Sequence, residues 1–401
     1  MTEINQKSVS NITILGAGLM GHNIGQIALM AGYNVTLVDI KDEFIDNGAS
    51  KIEEGLKRIE AKRTLGEGVA TSALMQKLTT STDLAAAVKD ADFVIEAVVE
   101  KMDVKKDVFK TCDENAPAHC ILATNTSTMS ITEIATATKR EDKVIGMHFF
   151  NPPILMRLVE IIAGEKSSEE AMNIGVELGK ALPCLRGKRF VPKVLKDRPG
   201  FIVNRVNAPV SIFISWVFDQ AAEKGISWNQ IDGDAGSLMP MGPCELSDYV
   251  GIDTMLHAGN YYAETLSPDF KPGKVITQMV EENKLGRKTG QGFYNWKENL
   301  TPKGRPKIDK STKAGLFSVE TSMAIMLNES CRLLEEGVVT GFKIIDDANM
   351  AGMNTPGPFG AGKNQYEKWS QMLEEVADKT GKEYLRPCEL MRTGGFIKMR
   401  R

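Results

Sequence analysis

His148 and Glu160 stand twelve positions apart around an Asn-Pro-Pro turn in the segment GMHFFNPPILMRLVEI, Gly146 to Ile161. An imidazole backed by a carboxylate has a fixed tautomer and a stabilised protonated form, which suits it to take a proton from an alcohol. Ser127, in ATNTSTMSI, and Asn204, in RPGFIVNR, are polar groups able to hydrogen-bond an alcohol or carbonyl oxygen. Donors aimed at an oxygen on which negative charge develops lower the barrier to that step. His119 and His257 have no comparable company and read as incidental.

The electron acceptor for such an oxidation is written upstream. Asn11 to Leu15 reads as a strand, GAGLMGHNIGQIALMAGY turns into a helix, and Val35 to Asp39 reads as a second strand. In that βαβ unit Gly16, Gly18 and Gly21 permit a tight turn, close approach to a pyrophosphate and helix N–H groups directed at it. Asp39 closes the second strand, where its carboxylate would accept ribose hydroxyls and repel a ribose phosphate, so NAD is expected over NADP. Lys41 reads as solvated, and His22 needs no role beyond its place at the start of the helix.

A chain of 401 residues implies two or three domains. Its 49 Lys plus Arg against 52 Asp plus Glu give a net charge of −3, which points to neither nucleic acid nor a membrane surface. The polar start MTEINQKSVS lacks an apolar signal region, and no apolar run approaches membrane-spanning length, so a cytoplasmic protein is expected. Six cysteines without a C-x-x-C pair suggest reduced, mostly buried thiols and no metal site.

The elements that must position these residues follow an α/β rhythm. After the first βαβ come a charged helix from Lys41 to about Arg63 and strands at Asp92 to Glu96, Cys120 to Thr124 and Val144 to Phe149. Beyond Pro199-Gly200 the pattern becomes helical, beginning with one long amphipathic run from Phe201 to Lys224. The expectation is a Rossmann-type doubly wound sheet over 1–199, an all-helical domain over 200–296, a linker over 297–311, and a second all-helical domain over 312–401. The last resembles the first helical domain at an offset of 115: Gly200 with Gly315, Asp232 with Asp347, Gly242-Pro243 with Gly357-Pro358, Lys271-Pro272 with Arg386-Pro387. At that offset Asn204 becomes Val319 and Arg205 becomes Glu320, so the second copy keeps the turns and loses the chemistry.

The segments GAGLMG, EAVVEKMDVKK, NTSTMSI, GMHFFNPP, LVEII, KDRPGFIVNR, MGPCELSDYVGID and GRKTGQGFY, spread from about Asn11 to Trp296, together resemble the L-3-hydroxyacyl-CoA dehydrogenase family. The resemblance implies NAD-dependent, reversible oxidation of an (S)-3-hydroxyacyl-CoA to the 3-oxoacyl-CoA, with His148 as base and Glu160, Ser127 and Asn204 completing the catalytic set. Because Asn204 comes from the helical domain, catalysis would depend on closure of an interdomain cleft. Glu100, Lys105, Ser127, Asn151 and Lys288 match cofactor-contacting positions, and Lys62 matches a coenzyme A contact, with Ser127 and Asn204 on the substrate. Gly55 falls where the family often has serine. The segment between Pro183 and Lys196 is longer than usual and carries Arg186, Lys188, Arg189, Lys193 and Lys196, a cluster read as a solvated basic surface, with contact to CoA phosphates as the alternative. The resemblance further implies an acyl-CoA partner and either a homodimer or a monomer with an internal pseudo-dimer; a short, four-carbon acyl chain is the expectation, although side-chain geometry and not sequence sets the chain length. The rival readings are an L-gulonate dehydrogenase or lambda-crystallin-like 3-hydroxy acid dehydrogenase and a non-catalytic NAD-binding protein.

Overall fold

The computed structural model describes residues 9–62, 65 and 68–399. The polar start up to Ser8 and the expected helix end at Arg63 lie outside the described residues. Eight strands form one sheet: β1 Asn11–Leu15, β2 Asn34–Val38, β3 Leu78–Ser81, β4 Phe93–Glu96, β5 Ile121–Thr124, β6 Val144–Phe149, β7 Val159–Ala163 and β8 Lys193–Val194. Their spatial order is β3-β2-β1-β4-β5-β6-β7-β8, so the order reverses between β1 and β4. That reversal opens a crevice at the strand ends where α/β proteins bind ligands. Neighbours pair in parallel except β6 with β7. The continuous apolar runs of β4, β5 and β6 are buried throughout, as strands covered on both faces require.

The strands read from the sequence are all present within a residue or so of their expected ends, whereas β3, β7 and β8 are not among them. Leu78–Ser81 is half exposed with no apolar alternation, and the two-residue β8 emerges from the basic segment. That segment is not simply solvated. Arg189 turns inward and donates to the carbonyls of Leu182 (2.8 Å), Met156 (2.9 Å), Pro153 (2.9 Å) and Pro183 (2.6 Å), while Lys193 faces Glu169.

The chain divides into two compact units. One runs to Val203 and takes in two short returns, Gly337–Thr340 and Asp347–Thr355; the other holds the remaining residues from Asn204. Within the first, Leu195 N donates to Val338 O (2.8 Å) and Arg157 N to Ala351 O (3.2 Å), so late segments of the chain are built onto the sheet's β7–β8 edge.

The second unit is helical. The expected long helix from Phe201 to Lys224 is broken into Val203–Asn207 and Val210–Glu223, because Pro209 has no N–H to continue the ladder and its ring crowds the preceding turn. Helices Trp228–Ala235, Pro243–Val250 and Ile252–Thr265, the 3-10 turn Pro268–Phe270 and helix Lys274–Glu281 follow. Residues 297–311 hold no helix or strand but are tethered: Arg305 donates to Glu245 (2.6 Å) and to the carbonyl of Pro240 (2.8 Å). Asp234 then takes the backbone N–H groups of Ala314, Gly315, Leu316 and Phe317, fixing the entry to helix Val319–Glu335. The later helices Phe342–Met353, whose residues from Asp347 on belong to the first unit, Pro358–Gly362 and Tyr366–Thr380, the turn Glu383–Leu385 and helix Glu389–Thr393 run in the same order as the earlier set. Among the described residues no helix is long and apolar enough to cross a membrane.

Candidate active site

His148 and Glu160 are cross-strand partners. The antiparallel register of β6 and β7 sets them directly opposite, and Nδ1 of the imidazole lies 2.7 Å from Oε2 of the carboxylate. The carboxylate is wholly enclosed, and its other oxygen accepts the N–H groups of Ile202 (3.2 Å) and Val203 (3.1 Å). Because Glu160 is the acceptor, Nδ1 carries the proton and Nε2 is left with its lone pair. Ser127 Oγ stands 3.1 Å from that Nε2. The rings of Phe150 and Phe201 lie 4.6 and 5.6 Å from the imidazole, which sits in an apolar collar. Neither phenylalanine was singled out from the sequence; both lie beside a motif residue that was.

Ser127 is held from below by a carboxylate network. Glu100 Oε1 accepts Ser127 N (3.2 Å) and the Thr126 hydroxyl, and Glu100 Oε2 takes the Lys105 ammonium (3.1 Å). Burial pulls the Glu100 carboxyl upward, but Lys105 and the hydrogen bonds outweigh it and hold the group below its ordinary value. Lys105 is itself buried and also bound to Glu96 (2.7 Å), whose second oxygen takes the Thr124 hydroxyl (2.6 Å). Glu96 is an unread member of the site; its signal was an acid ending an otherwise apolar strand.

The glycine turn fits a dinucleotide. Gly16 has φ +96°, and a Cβ on Gly21 would stand 1.7 Å from the Gly16 carbonyl oxygen, so neither position admits a side chain. Gly18 opens onto free space at the start of helix Leu19–Met30. A cavity of about 390 Å³ is lined there by Gly16, Gly18, Asp39, Ile40, Phe44 and Val99 among others. Ile40 and Val99 are 80% and 61% exposed, apolar surface that a bound adenosine would cover. Asp39 accepts the N–H groups of Ala17 and Ile40, both at 2.7 Å, which anchors the carboxylate at the turn. His22 Nδ1 is spent on the Gly18 carbonyl, 2.8 Å away.

Asp39 should set cofactor choice. Catalytic efficiency with NAD is expected to exceed that with NADP by about 100-fold or more, since a ribose phosphate would face a fixed like charge. Parallel kinetics with both cofactors test this, and equal efficiencies would remove the carboxylate argument.

The remaining expected residues are dispersed. Asn151 is exposed and follows β6, at a cis bond to Pro152. Lys62 is exposed at the end of helix Asp42–Ala61. Asn204 and Lys288 belong to the second unit, where Lys288 pairs with Asp253. Gly55 has a steric reason: a Cβ there would stand 2.2 Å from Oε1 of buried Gln26, so the close approach of these two helices leaves no room for serine without moving that amide.

Residues 11–189 match the 3-hydroxyacyl-CoA dehydrogenase NAD binding domain, and residues 200–296 match the C-terminal domain of the same family. The chain is 38% identical over 297 residues to the mitochondrial hydroxyacyl-coenzyme A dehydrogenase of Sus scrofa, covering 72% of this chain and 92% of that protein. It is 35% identical over 381 residues to the fatty acid oxidation complex subunit alpha of Psychrobacter cryohalolentis, covering 89% of this chain and 50% of that one. The structure of 3-hydroxybutyryl-CoA dehydrogenase from Escherichia coli is similar with a TM-score of 0.83 and 26% identity over 98% of this chain and 99% of that one. That overlap extends through the second run of helices, which is therefore a shared part of the fold. A histidine–carboxylate pair and a dinucleotide cleft on one sheet accord with these matches: the chain belongs to the 3-hydroxyacyl-CoA dehydrogenase family of NAD-dependent oxidoreductases.

Proposed function

We propose that this enzyme interconverts a short-chain (S)-3-hydroxyacyl-CoA, 3-hydroxybutyryl-CoA in particular, with its 3-oxoacyl-CoA, using His148 as the base. The observation that carries this reading is the row Ser127 Oγ, His148 Nε2, His148 Nδ1, Glu160, linked at 3.1 and 2.7 Å. NAD supplies the hydride acceptor when bound. The free Nε2 takes the C3 hydroxyl proton, and Glu160 stabilises the resulting imidazolium through Nδ1–H. Ser127 and Asn204 donate to the C3 oxygen. Phe150 and Phe201 keep water from the base, which strengthens each polar contact within the collar. The four-carbon preference rests on two similar structures, those of 3-hydroxybutyryl-CoA dehydrogenases from Escherichia coli and, at 34% identity, from Ralstonia eutropha.

The test is steady-state kinetics over a chain-length series of 3-hydroxyacyl-CoA substrates. The expected kcat/KM is highest at four carbons; a maximum at long chains would refute the short-chain assignment. Turnover of a free hydroxy acid with none of any acyl-CoA would refute the substrate class.

We also read residues 312–401 as a degenerate copy of the first helical domain, packed on it as a pseudo-dimer within one chain. The Asp232 carboxylate takes Cys244 N and Glu245 N at the start of helix Pro243–Val250; Asp346 takes Phe359 N and Gly360 N in the same way at Pro358–Gly362. The counterpart of Asp232 is thus Asp346 and not the adjacent Asp347 matched from the sequence. Tyr384 N donates to Asp269 (2.8 Å), and the two are 115 apart, each the other's counterpart. Contact between a position and its own counterpart is the mark of a two-fold axis. Six unpaired thiols, four of them buried, suit a reducing compartment and support the cytoplasm as the place of work.

A further inference from the structure

The second helical run carries none of the catalytic set, yet it holds the residue next to Asn204. Arg205 is 2% exposed. Its Nε donates to Glu329 Oε1, and its Nη2 donates to Glu336 (2.7 Å) and lies 3.4 Å from the Tyr384 hydroxyl. Glu329, fully enclosed on helix Val319–Glu335, also takes the Tyr384 hydroxyl (2.9 Å) and Arg332 (3.2 Å). Arg332 in turn holds the carbonyls of Tyr384 (2.8 Å) and Arg386 (2.9 Å) and stacks on the Tyr384 ring at 4.3 Å. The acceptor is therefore held by two groups, Tyr384 and Arg332, besides Arg205.

We propose that Glu329 is a positioning residue for Asn204: by holding the Arg205 guanidinium it sets the orientation of the helix turn from which Asn204 projects. This rests on the reading of Asn204 as a donor to the substrate oxygen. The Val203–Asn207 helix has only five residues and is cut from its successor at Pro209, so it has little stability of its own. Arg205 is the one side chain on it that is both charged and buried. Stability alone does not account for the pair. Nη1 of Arg205 is buried without a hydrogen-bond partner among the described residues, and buried ion pairs with an unsatisfied donor are commonly no better than apolar packing. The arrangement is also one-sided: the positions 115 and 114 before Glu329 are Ile214 and Ser215, so the carboxylate exists only in the run that lost the asparagine. The degenerate copy has kept a task, which is to hold the catalytic turn of the other.

Acetoacetyl-CoA reduction by the full chain, with Glu329→Gln, Asn204→Ala and the double variant, tests this. Asn204→Ala is expected to lower kcat by about 10²–10³-fold, as loss of one oxyanion donor does. Glu329→Gln keeps the shape and removes the charge; it should lower kcat by about 10- to 100-fold with the KM for NADH unchanged, the cost of misplacing a reacting group. In the Asn204→Ala background the same change should add nothing, because a positioning residue has no effect once its target is gone. Additive losses, or parental kcat in Glu329→Gln beside an impaired Asn204→Ala, would overturn the proposal and leave Asn204 standing. Full activity in Asn204→Ala would overturn both. Should Glu329→Gln fail to fold, Tyr384→Phe removes only the hydroxyl that orients Glu329. It should give a smaller loss of kcat that also vanishes in the Asn204→Ala background, and persistence there counts against the proposal.

Discussion

Glutamine in place of His148 is expected to lower kcat by about 10²–10⁴-fold, the usual contribution of a positioned general base. Glutamine cannot take the hydroxyl proton, while the cavity lined by Gly16, Gly18 and Asp39 holds neither His148 nor Glu160, so NADH affinity by fluorescence titration should be unchanged. Glu160→Gln should be nearly as damaging by a different route. The glutamine amide can turn an N–H toward Nδ1, which then becomes the acceptor and moves the imidazole proton to Nε2, the atom that must be free. Near-parental turnover by His148→Gln would show that another group is the base. Loss of NADH binding together with activity would place the histidine in the cofactor site instead.

Deleting the chain after Ser311 should yield a protein that aggregates or self-associates and has lost activity, as size-exclusion chromatography with light scattering and the acetoacetyl-CoA assay would report. The reason lies in what the second run covers. Phe213 stacks on Phe317 at 6.1 Å and Phe270 meets the Tyr384 ring edge-on at 4.8 Å, so both rings of the first run would be uncovered. Arg205 would lose Glu329, Glu336 and Tyr384, and a buried charge stripped of its partner costs about 3–5 kcal/mol. The sheet-bearing unit would also lose the returns at 337–340 and 347–355, which supply acceptors to Leu195 and Arg157. A truncated chain that stays monomeric, soluble and equally heat-stable would make the tail an independent module.

The sequence by itself determined the chemistry and most of the sheet. Apolar runs of four to six residues between helical patterns could only be buried strands, and three glycines at fixed spacing with an acid closing the next strand could hardly serve anything but a dinucleotide. These signals are local, each complete within about thirty residues.

Tertiary structure decided what depends on distant partners. Spacing could not say that His148 and Glu160 would face each other; that is a matter of antiparallel register, where a shift of one residue would send the two side chains to opposite faces. Arg189 had the same composition signal as its exposed neighbours, yet four carbonyls brought together by the fold draw it inward. The hydrophobic period of 201–224 continued through Pro209 because packing, not backbone hydrogen bonding, sets that period, so the break was invisible to it. Glu329 is the clearest case. It lies 124 positions from Arg205 in a run whose own sequence signals only decay, and its meaning comes from the charge that the fold places against it.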